Sequence, residues 1–117
     1  ISESHKILNS KNKKDIILVS ATLYPVAKSI AKHLGVRSFY GSTLMKENDL
    51  YTGQIETDLL GNKHKLFEHR KIVFIATDNL SDSKLCKLSN EVVIISKSKH
   101  LKLWAKKKIK IDKLIKV

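Results

Sequence analysis

Ile72-Val73-Phe74-Ile75-Ala76-Thr77-Asp78-Asn79-Leu80-Ser81-Asp82 decides the fold, because an apolar, β-rich run stops abruptly in hydroxyl and carboxylate residues. A short continuous apolar run closed by polar turn formers is the pattern of a strand covered on both faces, as in a parallel sheet. The chain holds a second such end, Ile16-Ile17-Leu18-Val19 leading into Ser20-Ala21-Thr22. In open α/β sheets ligands bind beyond the carboxyl ends of the strands. Two polar strand ends in one short chain therefore point to an active site rather than to two loops.

Working outward, residues 15–19 read as a short buried strand, preceded by a polar, lysine-rich segment, 1–14, that reads as the end of a helix. Leu23, Val26, Ala27, Ile30, Ala31 and Leu34 then recur at the spacing of one helix face, with Thr22 as N-cap, Pro25 in the first turn and Gly35 as the stop. Residues 38–57 read as a β-hairpin insertion turning at Lys46-Glu47-Asn48-Asp49. A short helix is expected in 61–69 and the second buried strand in 71–76. A helix over 82–88 would turn Leu85, Cys86 and Leu88 inward, 92–95 is a third strand, and 100–108 is a helix packed through Leu101, Trp104 and Ala105. Strands alternating with helices predict a Rossmann-like three-layer α/β/α fold with a mainly parallel sheet plus a small β-hairpin. The length of 117 residues suits one domain over 1–117.

With 23 Lys plus Arg against 11 Asp plus Glu, the formal charge is +12. Such an excess attracts nucleic acid, anionic surfaces or phosphorylated ligands. The lysines cluster in 6–14 and 97–116, where a solvated face is the simpler reading, and nucleic acid is the less favoured partner. Cys86 stands alone, so no internal disulfide can form and a reducing, cytoplasmic setting follows. No apolar run approaches the ~20 residues that span a bilayer, and no signal-peptide core opens the chain. A start at Ile1 rather than Met suggests a piece of something longer.

Asp78 and Asp82 bracket the exit from a strand and the start of a helix, where both carboxylates can turn toward one hard cation such as Mg²⁺. Helix N-capping by Asp82 is the competing explanation. Ser20 and Thr22 lie between a strand and a helix N-terminus, where backbone N–H groups and the helix dipole favour a phosphoryl anion. Lys63, after Gly61, can place a cation beside that anion, with Lys65 as its rival. His5, His33, His64, His69 and His100 show no metal-ligand spacing, and Trp104 has the register of core packing rather than of base stacking.

In this order, the 15–22 segment, Pro25 to Gly35, Thr43-Leu44 with Tyr51-Thr52-Gly53, Gly61-Asn62-Lys63 and Thr77 to Asp82 resemble the haloacid dehalogenase-like superfamily, in its phosphoserine-phosphatase-like branch. The resemblance implies that Ser20 binds phosphate, that Lys63 steadies the nucleophile and phosphoryl charge, and that Asp78 and Asp82 bind Mg²⁺. It implies hydrolysis of a small phosphomonoester through an aspartyl-phosphate. The Asp-x-Asp strand that carries the nucleophile is absent here, so the resemblance places it in an upstream segment. In relatives that strand lies between those matching 16–19 and 71–76. The chain alone is then expected to be inactive. The alternative is a non-catalytic basic α/β module that binds nucleic acid or a protein partner.

Overall fold

The computed structural model describes residues 2–117, with side chains from Lys6 onward. Two compact units result, one built from Asn9–Asn62 and the other from Lys63–Val117 with the start of the first helix, α1 (Ser2–Ser10). Each carries a three-stranded sheet, and the fold is α/β and Rossmann-like.

In the first unit, β1 (Ile17–Leu23) runs into α2 (Tyr24–Leu34), and β2 (Ser38–Glu47) returns parallel to β1. The register Ile17↔Ser38, Leu18↔Phe39, Val19↔Tyr40 resumes only at Leu23↔Ser42, so residues 20–22 bulge opposite Gly41 alone. Inside that bulge Ser20 Oγ accepts the Thr22 N–H at 3.1 Å. This corrects the reading of Thr22 as a helix cap. The strand persists through Leu23, which takes the N-cap position with no side-chain bond, and Thr22 stays in the strand. Pro25 does lie in the first turn, and Gly35 closes α2 in the left-handed region, φ 74°, with its N–H aimed at the Ala31 and Lys32 carbonyls.

The buried face of α2 is narrower than its periodicity suggests, with Ala27 and Ala31 inside and Val26 and Ile30 exposed. The small residues have a reason. A Cβ on Gly41 would come within 2.9 Å of Ala27 Cβ and 3.0 Å of Tyr24 Cα, so the close approach of helix and strand at this point requires glycine. Ser42 ties the layer together, its hydroxyl donating to the Ala21 carbonyl at 2.8 Å and accepting the Leu59 N–H at 2.9 Å. Beyond it β2 turns through Asn48 and Asp49, at φ 52° and 64°, into antiparallel β3 (Leu50–Thr57). Positive φ at both central residues matches the right-handed twist of a hairpin. Every residue of β3 is exposed.

In the second unit β4 (Ile72–Thr77), β5 (Ser89–Ser96) and β6 (Lys113–Lys116) are all parallel. The crossovers hold two short helices, α3 (Ser83–Lys87) and α4 (Leu101–Lys106). Central β5 has its second half buried, and Cys86, Val92, Ile94 and Trp104 form a core extended by Ile75, Leu80, Ile109 and Ile111. Leu85 and Cys86 point inward, but Leu88 is 38% exposed and Ala105 is also outside, because α3 and α4 end before a second buried turn. The C-terminal residues pair with β5 through β6, and Asp112 fixes them by accepting the Val92 N–H at 2.8 Å. β1 and β4 are each an edge strand of their own sheet. Among the described residues, no helix is long and apolar enough to cross a membrane.

Candidate active site

β4 delivers Thr77 to its carboxyl end, and the chain then folds back on itself. Asn79 accepts the Ser81 N–H at 3.0 Å and the Ser81 hydroxyl at 2.8 Å, capping the single 3₁₀ turn Leu80–Asp82. Thr77 Oγ1 accepts the Asn79 N–H at 3.1 Å and donates to Asp82 Oδ2 at 2.7 Å. One threonine hydroxyl thus holds both ends of the loop.

Asp82 occupies the N-cap position of α3 but makes no capping bond. Its carboxylate turns instead to Lys63, at the start of the short turn Lys63–Phe67, with Nζ 3.0 Å from Oδ1 and 3.3 Å from Oδ2. Lys63, Asp82 and Thr77 are 8%, 6% and 9% exposed. The contact to Oδ1 is an ion pair without hydrogen-bond alignment, so this buried oxygen has no hydrogen-bond donor among the described residues. A buried charge persists only when compensated, and each of these two compensates the other. The carboxylate is felt nearby, since burial first and the Asp82 charge second push the Cys86 thiol up to about 11.

Asp78 differs from Asp82 in every respect. It is exposed, and among the described residues its carboxylate has no ion-pair or hydrogen-bond partner. Lys65 is exposed as well, whereas Lys63 is buried against Asp82. Ser20 and Thr22, half-buried in the β1 bulge, belong to the other unit. The motif reading named Lys63 and Asp82 without the ion pair between them, and it missed Thr77 as the hydroxyl that orients Asp82. The available signal was a hydroxyl residue directly before the Asp78-to-Asp82 segment at a strand end.

The family model for haloacid dehalogenase-like hydrolases matches residues 4–87, a span that contains Ser20, Lys63, Asp78 and Asp82. The chain belongs to that family. No curated protein and no solved structure matches it significantly.

A haloacid dehalogenase-like hydrolase with this geometry holds a buried ammonium at a strand's carboxyl end, charge-balanced and oriented by a carboxylate and a hydroxyl. For a hard divalent cation the donors fit in one part: Asp78 offers an exposed, uncommitted carboxylate, whereas Asp82 Oδ1, without a hydrogen-bond donor, is buried 3.0 Å from the Lys63 ammonium. Among the described residues, no group of three or more His, Cys, Asp or Glu residues gathers that could hold a metal ion.

Proposed function

We propose that this chain is the lysine- and metal-bearing part of a Mg²⁺-dependent hydrolase of small phosphomonoesters, completed by a segment that carries the nucleophilic aspartate. The observation that supports this reading is the buried Lys63–Asp82–Thr77 cluster beside exposed Asp78 at the end of β4. Lys63 places a fixed cation next to the phosphoryl group, where charge develops during transfer. Asp82 and Thr77 are positioning residues that hold the ammonium. Asp78 holds Mg²⁺ from this side, and Asp82, whose Oδ1 lies 3.0 Å from the Lys63 ammonium, acts on the ion through its charge. When bound, the ion neutralises phosphoryl oxygens and orients them.

The nucleophile is an aspartate outside these residues, because none of Asp15, Asp49, Asp58, Asp78, Asp82 and Asp112 stands in an Asp-x-Asp pair. Its carboxylate attacks phosphorus as the ester oxygen leaves with a proton, and water then attacks the aspartyl-phosphate to release inorganic phosphate. Ser20, whose hydroxyl proton is not used in accepting from Thr22 N–H, donates to a phosphoryl oxygen, with Thr22 in support.

The test is hydrolysis of aryl and alkyl phosphates by this chain alone and by the chain joined to a segment bearing an Asp-x-Asp strand. Activity only in the joined protein, abolished by Asp78→Asn, supports the reading. A folded, Mg²⁺-binding but inactive joined protein leaves ahead the second reading, a basic binding module. That reading draws on the exposed Lys97, Lys99, Lys102, Lys106, Lys107 and Lys108 and requires binding that falls steeply with salt.

A further inference from the structure

A cleft of about 250 Å³ is lined by Asn12, Lys13, Lys14, Gly35 and Arg37. It lies at the amino-terminal ends of β1 and β2. The turn Lys13–Asp15 leads into β1, and Arg37 directly precedes β2. Ser20 lies at the middle of β1 and Thr22 toward its opposite end, so within this unit neither hydroxyl assigned to phosphate binding lines the cleft.

We propose that this cleft is a binding site for a small polyphosphate anion of the pyrophosphate class. Three cations line it and no carboxylate does, and among the described residues none of Lys13, Lys14 and Arg37 is ion-paired with a carboxylate. Part of this charge has a local explanation, since Lys13 Nζ lies 3.3 Å from where a Cβ on Gly35 would be, over the negative end of α2. Lys14 and Arg37 have no such use. Like charges gathered around one cleft repel, and a bound anion relieves the repulsion.

The frame is built in advance. Asn12 Oδ1 accepts the Lys14 N–H at 3.1 Å, and the Asn12 carbonyl accepts the Asp15 N–H at 2.9 Å, so the turn that carries both lysines is tied from within. Gly35, in a left-handed conformation, carries no side chain of its own there, and the Lys13 chain lies across the spot, its Cδ 3.5 Å and its Nζ 3.3 Å from where a Cβ would be. Arginine's planar fork matches two phosphoryl oxygens at once, while the lysines act as point charges. Size and composition select the ligand. The volume is below the ~300–1,000 Å³ of clefts that enclose drug-sized molecules, and no aromatic ring is present to stack a base. An inorganic polyphosphate therefore fits better than a nucleotide.

The test is titration calorimetry of the full chain with pyrophosphate, without divalent cations so that the hydrolase residues stay silent, alongside inorganic phosphate and a short DNA duplex. The expected result is saturable one-site binding of pyrophosphate, weakened at least tenfold by Lys14→Gln and by Arg37→Gln. It should be unchanged by Lys102→Gln with Lys106→Gln on α4, and amide shifts should centre on Gly35 and Val36. Arg37→Lys should retain part of the affinity. The proposal is overturned if pyrophosphate does not saturate, if the α4 pair weakens binding as much as the cleft variants, or if duplex binds and pyrophosphate does not compete. Phosphatase activity is not read in this experiment, so its failure and failure of the hydrolase reading remain distinguishable.

Discussion

Lys63 Nζ lies 3.0 Å from Asp82 Oδ1, joining two side chains nineteen positions apart that are each nearly excluded from water. The pair explains why a haloacid dehalogenase-like chain buries a lysine in a short 3₁₀ turn, and why the aspartate at the head of α3 gives up its capping bond.

Removing one member should cost more than removing both. Lys63→Met leaves Asp82 buried and uncompensated, and a loss of about 3–5 kcal/mol is expected. Lys63→Met combined with Asp82→Leu should recover a large part of it. Urea unfolding of the wild type, the single variants and the double variant checks this. A cycle with additive losses would mean that the two charges do not depend on each other.

The two lysines in the Gly61 segment should separate sharply in the completed enzyme. Lys63→Ala should abolish most turnover, and Lys65→Ala, at an exposed position, should leave it within a few-fold. Ser20→Ala should cost about 1.5–3 kcal/mol of transition-state stabilisation, the range of a hydrogen bond to a charged group. Asp78→Asn should remove activity while leaving the unfolding midpoint near that of the wild type, because its side chain is exposed and unpartnered. Steady-state kinetics at varied Mg²⁺ reads all four.

Cys86 makes stability fall in alkali. Its thiol is raised from 9.0 to about 11, by burial and then by Asp82. The contribution is fully present below about 9, where folded and unfolded chains both hold the proton, and it is lost as the pH rises toward about 11. The slope is at most about 1.4 kcal/mol per pH unit. Thermal melts across this window should show a steeper decline for the wild type than for Cys86→Ala. The native thiol should also react slowly with a disulfide reagent near pH 8 and quickly after unfolding.

Gly41→Ala should destabilise the protein by about 1–3 kcal/mol, because the new methyl meets Ala27 Cβ at 2.9 Å and Tyr24 backbone at 3.0 Å, neither a flexible chain end. Gly53→Ala meets nothing within 4 Å and any loss there comes from its positive φ alone. Chemical unfolding of the two variants separates crowding from backbone strain.

The first five strands, the long helix, its glycine stop and the hairpin turn were legible in sequence because each rests on local physics: apolar runs, a 3.6-residue period, left-handed φ at Gly35, and Asn48-Asp49 in a tight turn. The site residues were legible as residue types placed at strand ends. Three things needed the folded chain. Thr22 became a strand residue because pairing with β2 carries β1 to Leu23, and register across strands is not written in either strand alone. Asp82 became Lys63's partner rather than a cap because a buried ammonium leaves its carboxylate no cheaper arrangement. Cations at Lys13, Lys14 and Arg37, ordinary as single letters in a lysine-rich chain, became a cleft only when α2 brought its C-terminus back beside the start of β1. Sequence determined what each segment does with its own neighbours, and the tertiary structure decided which distant charges must share a space without water.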